Sequence, residues 1–324
     1  MYAIHPKLAA ALCGAAVIIP AANAGESNWP TKSVRVIVPS APAGSVDTLG
    51  RLLAQKLSSA LGQQFVVENR SGSGGVVGSE VVAKAAPDGY TLLMVYISHA
   101  TNPTLVEKLP YDTIKDFTAI TLVSHEPTVL VTHPSVPAKT LAEFTAWAKP
   151  QGDKLSYATD PGSAGFLAAE LYKQLAGVKA TYIPYKGSGP AAADVLAGHV
   201  PYMWSVISII TPHVKSGRMK GLAISAEKRA PGLPDVPTTA EGGMKDFAVS
   251  GWYGLVAPAR TPKEIVDKVN AAALKALKDE KVIERLATGG SLPIGAGPAE
   301  FDAHIKREID RWNKVLKTAG IKLN

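Results

Sequence analysis

Four times along this chain a run of β-branched and apolar residues ends in a loop of small residues, and the loop opens into an amphipathic stretch. The loops are 39–47 (PSAPAGSVD), 69–75 (NRSGSGG), 159–165 (TDPGSAG) and 185–190 (YKGSGP). In the first unit, VRVIV at 34–38 predicts a strand, and Val46, Leu49, Leu53, Leu57 and Leu61 recur at helical spacing over 46–61. Strands joined through helices pair in parallel, so the repeated unit restricts the chain to the α/β class, with helices on both faces of the sheet. The same reading gives strands at 65–68, 90–96, 129–132, 155–158, 180–183, 202–206 and 221–225, and helices at 76–85, 141–149, 165–175 and 190–197. The C-terminal part differs: 263–278, 280–288 and 298–319 are densely charged helices expected to wrap the outside. Thr261 is the expected N-cap of the first of these, with Pro262 at its first position. The Pro-rich stretch 231–237 reads as a loop, and Asp88 and Asp235 as turn residues.

The N-terminus carries Lys7, an apolar run over 8–20 and the small-x-small triplet Ala22-Asn23-Ala24. That is the anatomy of a cleavable secretory leader, too short to span a membrane. Cleavage after Ala24 leaves 300 residues, a length that favours two domains. The only cysteine, Cys13, lies inside the leader, preceded by Leu12 where lipoprotein attachment needs a small residue. The remaining chain has no disulfide, thiolate nucleophile or cysteine metal site, and burial alone must hold it together. The formal charge is +7, or +6 without Lys7, yet no five basic residues are consecutive and acids interleave with them. This describes a solvated surface with a mild preference for anions, not a nucleic-acid footprint.

The loops carry the chemistry. A helix N-terminus presents unpaired N–H groups and about half a positive charge. Small residues let a ligand approach the backbone, and in open α/β sheets such loops sit where ligands bind. Two facing helix ends can hold a carboxylate without arginine. The plainer alternative is that Ser45, Ser163 and Ser188 only cap helices. Enzyme motifs fail: Gly72-x-Gly74 has Val77 where the dinucleotide fingerprint needs glycine, 162–165 is no nucleophile elbow, and His125-Glu126 lacks the second histidine of a zincin. Of seven histidines His5 leaves with the leader, and the others read as scattered surface or capping residues.

Taken in order, these segments resemble the periplasmic receptors of the tripartite tricarboxylate transporter family, often called Bug receptors. The opening strand Trp29-Pro30-Thr31-Lys32-Ser33-Val34-Arg35-Val36-Ile37-Val38-Pro39 is similar to the family's, and Ala43-Gly44-Ser45-Val46-Asp47 stands where the family has a Gly-Gly-x-x-Asp loop. Asn69-Arg70-x-Gly72-x-Gly74-Gly75-x-x-Gly78 and Ala83-Lys84-Ala85-x-Pro87-Asp88-Gly89-Tyr90-Thr91-Leu92 are the most recognisable stretch. Pro184-Tyr185-Lys186-Gly187-x-Gly189-Pro190-Ala191, Asp194-Val195-Leu196-Ala197-Gly198, Pro234-Asp235-Val236-Pro237-Thr238 and Trp252-Tyr253-Gly254 follow. No piece is specific alone; the ordered set spans about 290 residues.

The resemblance implies a two-domain, periplasmic-binding-protein-like (Venus flytrap) α/β fold with mixed sheets and an interdomain cleft. The expected domains are 25–125 plus 250–324, and 126–249. It implies a receptor rather than an enzyme, monomeric, without cofactor or metal, which takes a small carboxylate in the periplasm to membrane transporter subunits. Ligand contacts are expected from Pro39, Ser40, Ala41, Gly44, Ser45 and Asp47 on the first loop and Thr159, Gly162 and Ser163 on the second. Ser98, Ala100, Tyr185, Trp204 and Ser205 are expected at further strand ends. Asp47 is expected chiefly to orient the first loop, and Lys186 is a candidate long-range charge. A receptor that only feeds a sensor kinase, or an enzyme using the same cleft, is the alternative; the lack of a base–nucleophile pair weighs against the enzyme. The chain departs from the family pattern in two places: the first loop has Ser40-Ala41-Pro42-Ala43 where an aromatic and a second glycine are common, and the second loop differs at two residues. Asp160 stands where a glycine is usual and Phe166 where a histidine is usual. Asp160 would repel a second carboxylate or pair with an amine or hydroxyl, and Phe166, Tyr96 and Trp204 leave open an aromatic ligand body.

Overall fold

The computed structural model describes residues 1–2, 28–245, 247–288 and 290–318; the leader and Cys13 lie outside the described residues. Ten strands form a mixed sheet. Its first half begins with β1 (Val34–Val38), flanked in parallel by β2 (Phe65–Asn69) and β3 (Thr91–Tyr96). Next comes β4 (Phe117–Thr132), a strand of 16 residues that runs through both halves. The second half holds β5 (Ser156–Thr159), β6 (Thr181–Pro184), β7 (Tyr202–Val206) and β8 (Lys220–Ile224), followed in sequence by β9 (Ser250–Pro258) and β10 (Leu292–Ala296) in the first half. The order is β2-β1-β3-β9-β4-β7-β5-β6, with β8 and β10 also pairing with β4. Residues 117–127 of β4 pair antiparallel with β9, and 128–132 pair with β7 and β8.

Helices follow the strands as the loop pattern requires: α1 (Ser45–Leu61), α2 (Val76–Ala83), α3 (Ser98–Leu105), α4 (Leu141–Ala148), α5 (Ala164–Ala176), α6 (Ser188–Leu196) and α7 (Ile207–Lys215). Then come α8 (Lys263–Leu277), α9 (Glu280–Thr288) and α10 (Pro298–Thr318). The last is amphipathic, burying Phe301, Ile305, Trp312 and Leu316 and leaving its charged face to water. Its contact with the sheet is very close at Gly254 of β9, where an added Cβ would lie 2.0 Å from Cζ of Phe301.

Several expectations change. The strand at 129–132 begins twelve residues earlier, at Phe117. Polar residues hid its first part, yet they are buried: the Thr121 hydroxyl donates to the Ala296 carbonyl at 2.9 Å, and Glu126 is bonded as described below. Strands β9 and β10 and helices α3 and α7 went unassigned, because Gly251, Gly254, Gly295, Pro103 and Pro212 interrupt their patterns. Thr261 does not cap α8. Its hydroxyl donates to the Pro258 carbonyl at 2.8 Å, and Pro262 precedes the first helical residue. The histidines are not all peripheral: His99 is fully buried between Tyr111 and Phe117, and the rings of His125 and His304 lie 5.2 Å apart.

Candidate functional site

The first loop ends at Gly44, and α1 starts at Ser45. Asp47, in the first turn, fixes the loop from below. Its Oδ2 accepts from the Ala43 amide at 3.1 Å and from Arg51 Nε at 3.0 Å, and its Oδ1 accepts from Asn69 Nδ2 at 2.9 Å. Burial alone would raise this carboxyl, but the bonds from Arg51, Asn69 and Ala43 outweigh burial and hold it below the usual carboxylate range. Ala43 needs that support, since a non-glycine residue sits there at φ 64°. The same network anchors the loop to the neighbouring strand, because Asn69 Nδ2 also donates to the Ser40 carbonyl at 3.0 Å.

The second loop leads into α5. Ser163 caps that helix, its Oγ accepting from the Phe166 amide at 3.1 Å and lying 3.0 Å from Thr159 Oγ1. At Gly165 the helix presses onto β7: an added Cβ would lie 2.3 Å from the Trp204 carbonyl oxygen. The loops of the two halves meet. The Ala41 amide donates to the Lys186 carbonyl at 3.0 Å, and the Thr101 hydroxyl donates to the Gly162 carbonyl at 3.0 Å. The cleft is therefore closed in this structure.

Between the loops lies a narrow cavity. Ser40, Ser45, Thr159, Ser163, Trp204 and Ser205, all expected ligand contacts, line it together. Pro39 and Tyr185 line an adjoining cavity, where Lys186 also sits. Ala41 and Gly44 belong to the loop without lining either space. Asp47, Ser98, Ala100 and Gly162 do not line the cavity: Asp47 faces its own loop, Ser98 and Ala100 are buried in α3, and Gly162 is engaged with Thr101. Asp160 and Tyr96, weighed from the sequence for their effect on the ligand, also line the cavity, which gains residues that the sequence did not single out as contacts, among them Val46, Ile97, Ser188 and the β9 group Gly251, Trp252 and Tyr253. Ser188 lines the wall rather than capping α6, whose cap position is Gly187. Phe166 packs on Tyr182 with ring centroids 5.1 Å apart and does not reach the cavity, and Trp204 stacks on Phe247 at 4.7 Å.

Two residues of the lining carry a buried polar group without a hydrogen-bond partner, Ser205 in its hydroxyl and Trp204 in its indole N–H. No lysine or arginine lines the cavity. Its floor is tied to the crossing strand. Ser45 Oγ lies 2.9 Å from the Tyr253 hydroxyl, which lies 3.2 Å from Glu126 Oε2. Ser208 of α7 donates to the same carboxyl at 2.9 Å, and Ser291 also donates to it. Burial pushes the Glu126 carboxyl up, against these bonds. Among the described residues, no cluster of three or more His, Cys, Asp or Glu is placed to hold a metal, and no helix is long and apolar enough to cross a membrane.

Two helix N-termini converging on a closed, hydroxyl-lined space define a binding protein. The chain belongs to the tripartite tricarboxylate transporter family of receptors, whose model matches residues 49–321. That is a family of transport receptors, not of enzymes. Among solved structures it is similar to the periplasmic binding protein BugD, at 34% identity and TM-score 0.88 over 91% of this chain and 99% of that one. A Rhodopseudomonas palustris protein with adipate matches at 36% identity and TM-score 0.88, covering 91% and 99% of the two chains. MatC from the same organism, with bound malate, matches at 36% identity and TM-score 0.85 over 89% of this chain and all of that one. These likenesses establish the mixed α/β fold of periplasmic binding proteins.

Proposed function

We propose that this chain captures a small organic carboxylate in the cavity between its two loops and delivers it to the membrane subunits of a tripartite transporter. The observation that carries this reading is the pair of helix N-termini, of α1 and α5, on one closed cavity that no lysine or arginine lines. Each helix end contributes about 0.3–1 kcal/mol toward an anion, and about 2 when partly buried. The adipate and malate held by two relatives support the same ligand class. The receptor acts as a monomer in the periplasm after loss of residues 1–24, with lobes 25–125 plus 250–324 and 126–249 hinged on the crossing strands. Ligand contacts come from Ser40 and Ser45 on the first loop and from Thr159 and Ser163 on the second, with Trp204 and Ser205 behind them, while Ala41, Gly44 and Gly162 shape the loops and Pro39 borders the adjoining cavity. Binding favours the closed state by making contacts that exist only there.

A thermal-shift panel of mono-, di- and aromatic carboxylates tests this. A ligand at 100 times its dissociation constant should add about 2.7 kcal/mol of stability. If no carboxylate moves the melting temperature, the ligand class is wrong. Gly162→Val should abolish the shift, since Gly162 sits at φ +68° and an added Cβ would lie 2.7 Å from Thr101 Oγ1. The ligand-free melting curve of that variant separates lost binding from lost folding.

A further inference from the structure

We propose that the ligand carries a hydroxyl or ammonium group within a bond or two of its carboxylate, and that Asp160 accepts a hydrogen bond from that group. The inference rests on the carboxylate reading above and names the ligand more narrowly.

Asp160 is 7% exposed and lines both the main cavity and the adjoining one. It shares one tight turn with the capping serine of α5, the Ser163 amide donating to its carbonyl at 3.3 Å. Its carboxyl therefore stands beside the same helix end that would hold the ligand's carboxylate. No lysine, arginine or histidine is ion-paired with it among the described residues. The titratable groups around it are the phenols of Tyr96, Tyr182 and Tyr253, with Lys186 across the adjoining cavity. Most other hydroxyls of the lining are already engaged: Ser45 with Tyr253, Thr159 with Ser163, and Ser163 with the α5 backbone.

Two carboxylates in one water-poor cavity repel unless a proton donor stands between them. A ligand bearing only a carboxylate leaves Asp160 opposed, whereas a donor beside that carboxylate turns the opposition into a charge-assisted hydrogen bond. Ser205 supplies a second, independent sign of a polar ligand group. Its hydroxyl is buried in the same cavity without any partner, and a hydroxyl or ammonium there would satisfy it together with Asp160. Burial moves the Asp160 carboxyl up to about 6, against hydrogen bonds from its own backbone and from Ser163, so above that pH it is a charged acceptor.

Three matched series test this by calorimetry on the purified chain: propionate, lactate and alanine; succinate, malate and aspartate; phenylpropionate, phenyllactate and phenylalanine. At pH 8 the hydroxy or amino acid of at least one series should bind about 10- to 100-fold tighter than its unsubstituted parent, the worth of a hydrogen bond to a charged group. Whichever of the two gains identifies the donor. The gap should shrink in Asp160→Asn and Asp160→Ala, and in the unaltered chain at pH 5, where Asp160 takes up a proton. Parent acids binding as tightly as substituted ones at pH 8, or a gap that survives in both variants, would overturn the proposal while leaving the carboxylate reading in place. Failure of every acid to bind overturns both.

Discussion

At the scale of single residues, the chain places two carboxyls under opposite regimes. Asp47 is stabilised in its charged form by donors from Arg51, Asn69 and Ala43, whereas Glu126 is fully enclosed and meets only hydroxyls. The folded chain holds the Glu126 proton more tightly than the unfolded chain does, since burial raises this carboxyl. Its contribution to stability is therefore complete below the ordinary carboxyl range near 4.3 and falls as pH rises toward the raised folded value. Glu126→Gln removes that fall. Its melting temperature relative to the unaltered chain should rise between pH 4 and pH 7, read by calorimetry at both. A difference independent of pH would mean that Glu126 is not the buried acid described here. Glu126 also shows why part of the site was illegible in the sequence. Its role depends on Ser208, Tyr253 and Ser291, which lie 82, 127 and 165 residues away. Ser163 and Asp47 take partners close by in sequence, Phe166 and Thr159 for the one and Ala43 and Arg51 for the other, so their roles in fixing the loops could be read from spacing, whereas the tie from Ser45 to Tyr253, 208 residues on, could not.

At the scale of elements, a loop and the helix it starts make one unit, and these units were legible because small residues followed by a 3.6-residue period leave few alternatives. Apart from the short, half-exposed β10, the strand segments that the pattern does not reveal are buried on both sides. In β4 the hydroxyl of Thr121 and the carboxyl of Glu126 are bonded within the fold, so polarity signals no exposure there. In β9, Gly254 is a packing requirement imposed by α10 rather than a break. The seam between α10 and β9 is also where the cavity floor gets its rigidity. Trp252 lines the cavity, packs edge-on against Phe301 at 5.8 Å, and donates from Nε1 to Glu308 of α10 at 3.1 Å. Phe301→Ala should cost about 3–5 kcal/mol in urea unfolding, the range for a deleted buried aromatic ring. A loss below about 0.5 kcal/mol, within the range of ordinary surface substitutions, would show that α10 does not seal the sheet there.

At the scale of the whole molecule, the first half of the sheet is not made from the first half of the chain. Strand β3 finds its antiparallel partner β9 only at residues 250–258, and α10 closes the layer over them. A chain ended after residue 249 should therefore lack protection over 28–116 as well, and limited proteolysis should degrade that region at rates typical of unfolded polypeptide. Protection of an intact fragment covering 28–116 would show that the early strands suffice alone. The first domain expected from the family resemblance, 25–125 plus 250–324, carried this dependence in outline, and the strand order β3-β9-β4 gives its physical reason.

That order sets a timetable. Until the last third of the polypeptide has been made, β3 has an open edge and the apolar floor that β9 supplies is missing. A nascent chain in this condition cannot lock into its final shape behind the point of synthesis. The strand that supplies the cavity floor is thus also the one whose late arrival leaves the first half of the sheet unfinished until most of the chain exists.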